Sequence, residues 1–385
     1  MATTDPEPET KDDPASAENA ATGGSLSRIA IGVAPGVALA LGLAMVGHLL
    51  ADVVGIDLLG LPKSPISPIM MAILLGMLLR NTVGLAGIFE PGVRFSLVRI
   101  LRLGIVLLGI RLSLGEAGEI GLKSLPVIVA CVAAALVTVS WVSARLGLTR
   151  RLGTLIAAGT GICGATAIVA LSPTIRARDD ETAYAVACIT LFGVIAMLVY
   201  PFLAHWLFAG DAFRIGLFLG TSVHETAQVA GAGLVYQEYF GQAEALDTAT
   251  VTKLVRNLGM LVVIPLLSVV YHRQAEADGT RPSLWSMVPL FVVGFALMSL
   301  LRTVGDLGVA DDGLALGVLA AEEWQAAVGW TRQAAEVCLG LAMAAVGLGT
   351  SFAGLREIGF KPLGVGLFSA LLVGAVSAGL IILLF

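Results

Sequence analysis

The sequence predicts an all-α polytopic membrane protein of about ten or eleven transmembrane segments, with inverted repeats and two interrupted helices. The first observation is composition: 57% hydrophobic residues, 13% charged residues and a mean hydropathy of +0.91. That is too apolar for a soluble chain of 385 residues. The second is a pair of small, polar, helix-breaking runs, each in the middle of a segment apolar enough to enter a bilayer. They are Gly159-Thr-Gly-Ile-Cys-Gly-Ala-Thr166 and Gly220-Thr-Ser-Val-His-Glu-Thr-Ala-Gln228. A bilayer core offers no water to freed backbone groups, so interrupted spans survive where they line a protein cavity.

The chain opens on a tail, residues 1–27, that carries Asp5, Glu7, Glu9, Asp12, Asp13 and Glu18 against Lys11, with Pro6, Pro8 and Pro14. It has too little apolar surface to fold alone and is expected to be disordered. It also accounts for the formal net charge of -5. No basic region followed by a short apolar run and a cleavage site is evident, so the first apolar run reads as a retained helix. Residues 28–385 form the membrane domain.

Cutting that domain at its charged and Gly/Pro breaks gives segments near 29–51, 65–79, 97–112, 125–142, 152–175, 183–207, 213–236, 248–271, 284–301, 337–352 and 363–385. The stretch 313–330 contains Glu322, Glu323 and Gln325 among alanines and reads as an interfacial amphipathic helix. Lys and Arg in short loops orient the chain. With the N-terminus cytoplasmic, Arg80, Arg94, Arg145, Arg150, Arg151, Arg273, Arg281, Arg356 and Lys361 fall inside, against Lys63, Lys123, Arg176 and Arg178 outside.

Ser113–Lys123 and Ser351–Lys361 share Ser, Glu-Ile-Gly and Lys at a constant offset, each between two apolar helices on opposite faces of the membrane. An inverted-topology repeat requires that placement. A polar turn that arose twice is the plainer alternative.

The chemistry concentrates at the breaks. Thr160, Gly161, Cys163, Gly164 and Thr166 suit a helix that stops and restarts, leaving backbone N–H groups for an anion. Close helix packing is the competing use of such glycines. His224 and Glu225 lie at mid-segment, where a charge costs roughly 2.5–3.5 kcal/mol, so they call for a cavity or a partner. They are candidates for proton or ion coupling. A purely structural pairing is the other reading. Thr221, Ser222, Thr226 and Gln228 complete the second run. Lys253 and Arg256 share a helix face, and Leu258–Tyr271 is too short to span the bilayer, so Arg256 lies inside the membrane with Asn257. Arg99, Arg102 and Arg111 are further cations in a short apolar segment, of ambiguous role. Cys131, Cys163, Cys188 and Cys338 lack metal-site spacing, and no basic patch with interleaved aromatics suggests nucleic acid. No metal or cofactor is expected.

The ordered set Gly159–Ala167 with Pro173, Gly220–Gly233, Lys253-Leu-Val-Arg-Asn257 and Leu341-Ala-Met-Ala-Ala-Val-Gly347 resembles the YeiH-like sulfate exporter family, from about Ile29 to the C-terminus. The family is grouped with inverted-repeat transporters, including bile acid symporters and cation/proton antiporters. The resemblance implies core and scaffold helices, and sulfate as cargo. Glu225 stands where the family's run has Asp, which keeps the carboxylate and lengthens its reach.

These readings together describe a multi-pass inner-membrane secondary transporter exporting a small anion, with the lipid bilayer and a coupling proton or sodium ion as partners. The site would comprise the hydroxyls and N–H groups of both breaks, Gln228 and Asn257, with Lys253 and Arg256 neutralising the anion. A homo-oligomer is compatible with the sequence. A cation/proton antiporter using Glu225 is the nearest alternative. A membrane-embedded enzyme using His224, Glu225 or Cys163, and a non-transporting receptor, are weaker ones.

Overall fold

A computed structural model describes residues 14–53, 67–272, 289–352 and 359–385, with side chains from residue 32 onward apart from His272 and Asp312. The first 13 residues of the acidic tail, Lys63, Arg273, Arg281, Arg356 and the centre of the Ser351–Lys361 motif lie outside the described residues.

The protein is an all-α polytopic membrane protein. Helix α1 spans Pro14–Asp52. Helix α2 is Pro68–Thr82, and α3 runs through residues 90–111 with a π-helical turn at Ser96–Ile100. Helix α4 is Leu114–Arg145, opened by a Ser113/Glu116 capping box. Then come α5 (Arg150–Gly161), α6 (Ala165–Leu171), α7 (Asp179–Leu207), α8 (Ala212–Ser222) and α9 (Thr226–Phe240). Helices α10 (Ala243–Leu258) and α11 (Met260–His272) follow, then α12 (Leu290–Asp312), α13 (Ala321–Gly349) and α14 (Phe360–Leu384).

Both interrupted segments were expected to cross, and neither does. At 1.5 Å per residue, a β-carbon on Gly159 and the side chain of Ile168 would be about 13 Å apart along one axis. Instead they meet at 2.7 Å, and Thr149 Oγ1 donates to Glu181 Oε1 at 2.5 Å. Helices α5 and α6 therefore fold back as a re-entrant hairpin that enters and leaves on one face. The second pair repeats the device. Gly216 and Gly220 of α8 pack on Thr248 and Thr252 of α10, so those helices run parallel. Gly233 packs on Leu246, and Asn257 bonds Thr226, so α9 runs antiparallel to the same helix. Helices α8 and α9 thus form a second hairpin, entering from the opposite face.

The contacts at the ends fix the rest. On one face lie Arg111, Asp247, Gln237, Glu336, Lys123, Phe213 and the C-terminal Phe385. On the other lie Thr149, Glu181, Tyr271, Asn81 and Thr350. Six helical stretches are long and apolar enough to span a bilayer, in α1, α4, α7, α10–α11, α12 and α14. Helices α2, α3 and α13 run between the same two faces beside them.

Two expectations change as a result. Arg176 and Arg178, expected opposite Arg150, lie at the Thr149 face because the first hairpin returns there. The stretch 313–330 is not an interfacial helix: Leu314–Ala315 and Leu319–Ala320 form a small antiparallel hairpin, β1–β2, and Ala321 starts the continuous α13. Glu323 accepts the Ala320 N–H at its start, and Trp324 is buried against Gly305 with Nε1 on Asp306, so polar residues cap and anchor it there.

The helices pack in two groups. Helices α1, α2, α3, α12 and α13 contact one another, and α4 to α11 with α14 contact one another. Fewer contacts join the groups, mainly α12 on α4 and α9 on α13 and α2.

Candidate functional site

Each hairpin tip is a sequence-imposed break. In the first, Ile162 leaves helical geometry and Gly164 adopts φ +70°, ψ -131°, a conformation open to glycine; its N–H closes back on the Gly159 carbonyl at 2.9 Å. In the second, Val223 and Glu225 are extended, and α9 restarts at Thr226. The tips abut: a β-carbon on Gly164 would collide with Glu225 Cγ and stand 3.4 Å from the His224 carbonyl oxygen.

Breaking a helix inside the membrane strands carbonyls at the ends of α5 and α8. Two wholly buried cations from α10 satisfy them. Lys253 Nζ donates to Ile162 O at 3.2 Å, Val223 O at 3.0 Å and His224 O. Arg256 donates from Nε to Gly161 O at 2.8 Å, from Nη1 to Thr221 O at 2.6 Å and Val223 O at 3.2 Å, and from Nη2 to Thr160 O. A guanidinium fork is suited to this, since it reaches acceptors on both hairpins at once. Lys253 and Arg256 were expected to hold the anion, but they face the carbonyl ends of the helices and do not line the cavity.

The other ends of the tips do. Between the two helix groups lies a cavity of about 770 Å³, adjoined by one of about 350 Å³. Cys163, Thr166 and Thr226 line both; Asn257 lines the larger, and Glu225 and Gln228 the smaller. Thr190 of α7 donates to Glu225 Oε1 at 2.9 Å; Gln228 accepts the Glu225 N–H and donates to the Thr190 carbonyl, both at 3.1 Å. The opposite wall comes from α3 and α12, and there Arg102 lines both cavities and Arg99 the larger. The cavity faces the N-terminus of α9, whose partial positive charge adds to these arginines.

The expected site residues therefore divide. Cys163, Thr166, Glu225, Thr226, Gln228 and Asn257 meet the cavity. Thr160, Gly161, Thr221, Ser222 and His224 lie behind it: the Thr160 hydroxyl bonds Ser369, that of Thr221 bonds Ser377, and His224 Nδ1 is 3.1 Å from the Ser222 carbonyl. Gly164 makes the tip contact. Arg99 and Arg102, one helical turn apart, had only that spacing to mark them as a pair, and Thr190 had no sequence signal. Arg111 belongs elsewhere, bonded to Asp247 at 2.7 Å and Glu336 at 3.3 Å. Among the described residues no cluster of three or more His, Cys, Asp or Glu could hold a metal.

Residues 35–366 match the family model described as conserved hypothetical protein 698. A UPF0324 membrane protein of Oceanobacillus iheyensis is 31% identical over 349 residues, covering 90% of this chain and 94% of the relative. The chain belongs to the UPF0324 family. Further UPF0324 relatives include a membrane protein of Fusobacterium nucleatum, 30% identical over 322 residues (82% and 89% covered). Another, from Chlorobaculum tepidum, is 31% identical over 299 residues, with 77% of each chain covered. The YeiH-like resemblance is to this same UPF0324 family. No solved structure is detectably similar to the chain.

Proposed function

We propose that this UPF0324 protein is a secondary transporter that carries a small anion out of the cell across the inner membrane by alternating access. Sulfate is the cargo suggested by the family resemblance. One arrangement carries the reading: two re-entrant tips meet beside a cavity between two helix groups, and that cavity presents Arg99 and Arg102 to the N-terminus of α9. Lys253 and Arg256 neutralise the helix ends that the breaks expose, leaving the anion's charge to the two arginines of α3. Rocking one helix group against the other would move the site between faces. Arg80, Arg94, Arg145, Arg150, Arg151, Arg176 and Arg178 at the Thr149 face outnumber Lys123, Arg214, Arg302 and Arg332 opposite, which supports a cytoplasmic N-terminus.

Glu225 is the acidic residue lining the cavities among the described residues, which favours it over the enclosed His224 as the coupling group. The same observation supports a second reading, a cation/proton antiporter with Glu225 as the ion site. Labelled-sulfate flux into proteoliposomes, with and without a pH gradient, separates the two. Saturable flux that falls at least tenfold in Arg102→Gln and loses its pH dependence in Glu225→Gln supports anion transport. Sodium- or potassium-driven proton movement requiring Glu225, without anion flux, supports the antiporter.

A further inference from the structure

We propose that the cavity binds an organic monoanion, with one sulfonate or carboxylate headgroup on a short apolar body, in preference to bare sulfate. The inference rests on the anion-transport reading and narrows its substrate class.

Size is the first argument. Water occupies about 30 Å³ in the liquid, and a tetrahedral oxyanion is only a few waters in bulk. A cavity of about 770 Å³ is in the range of roughly 300–1,000 Å³ that takes organic ligands. The wall is the second. Leu103, Val106, Ala170, Met260, Ile264 and Phe291 line it, so polar groups occupy a minority of its positions. A bare dianion would give up hydration against that wall without recovering it, whereas an apolar body would gain from the same surface.

Charge placement is the third. Arg99 and Arg102 have no ion-pair partner within 4 Å among the described residues, and the Arg102 guanidinium sits 5.8 Å from the Phe291 ring centroid. Cationic and apolar groups are thus neighbours, as a headgroup and its body are. Across the space, the Asn257 side chain is buried, and its Nδ2 donates to Thr226 Oγ1 at 3.1 Å. Glu225 on the adjoining wall also disfavours a dianion over a monoanion.

The test is equilibrium binding to the purified full-length protein in phosphatidylcholine nanodiscs, using sulfate, methanesulfonate, propanesulfonate and pentanesulfonate. Each buried methylene should tighten binding about fourfold, so pentanesulfonate should exceed methanesulfonate by more than about fiftyfold. Arg102→Gln should weaken every sulfonate at least tenfold, and Phe291→Ala should flatten the chain-length dependence. The wild-type series stands even if a variant fails to fold. Sulfate binding as tightly as pentanesulfonate, or affinity independent of chain length, would overturn the proposal. So would displacement of pentanesulfonate by phosphatidylglycerol with no sulfonate flux, which would make the cavity a lipid site. Sulfate flux that persists without sulfonate binding rejects this inference and keeps the transporter; absence of any anion flux rejects both.

Discussion

The Glu225 side chain occupies the space that a β-carbon on Gly164 would need, so the two hairpin tips are closed against each other at the cavity. Gly164 also has φ +70°, which penalises any L side chain. Gly164→Ala should therefore cost about 1–3 kcal/mol from backbone strain alone, and should displace Glu225. A fall in the unfolding temperature of the detergent-purified protein, together with loss of anion flux, is the expected result. Unchanged stability and flux would mean that the tips do not meet in this way.

Gln228 ties the second tip to α7, accepting the Glu225 N–H and donating to the Thr190 carbonyl, and it is almost wholly buried. Gln228→Met keeps the volume and removes both bonds. Leaving those groups unsatisfied should destabilise the protein by about 1–3 kcal/mol. Thermal unfolding measures that cost. Thr190→Val, which removes one hydroxyl bond to Glu225, should cost less.

Arg111 of α3 holds Asp247 of α10 at 2.7 Å with both side chains largely buried, and Ser67 and the Ile69 N–H at the start of α2 reach Glu238 of α9. These links join the two helix groups at the Arg111 face, while the cavity lies toward the other. A double-mutant cycle on Arg111→Ala and Asp247→Ala should give a coupling of about 1–3 kcal/mol. With the native cysteines replaced and Arg111 kept, a Thr166→Cys thiol, at an exposed position lining both cavities, should react with a water-soluble thiol reagent from the Thr149 face. In Arg111→Ala it should react from both. Equal labelling from both faces with Arg111 kept would show that the links do not close that side.

The apolar segments and the two breaks were legible because hydropathy and glycine placement act locally. Whether a broken segment crosses or returns was not. Hydropathy reports depth, and Leu152–Ile175 reaches mid-depth either way; the return is set by Gly159 meeting Ile168. The cations of α10 were legible as intramembrane charges, but a cation answers a stranded carbonyl as well as an anion. Their acceptors, the carbonyls of Thr160, Gly161, Ile162, Thr221, Val223 and His224, are main-chain atoms with no residue type to mark them. Arg102 was visible in sequence and uninformative there, because its place opposite Thr226 depends on how two helix groups meet.

Its carbonyl partners make Arg256 of α10 a structural residue. Its guanidinium reaches carbonyls of both hairpins from one buried position, so a single ammonium cannot replace it. Arg256→Lys should lose about 2 kcal/mol or more, and Arg256→Met about 3–5 kcal/mol, by leaving the helix ends unpaired. An anion-binding role predicts the opposite pattern, in which Arg256→Met folds normally and the defect lies in affinity. Comparing unfolding temperature with the sulfonate affinity of whatever protein folds decides between them. A stable Arg256→Met protein with weakened anion binding would return the charge to the substrate site.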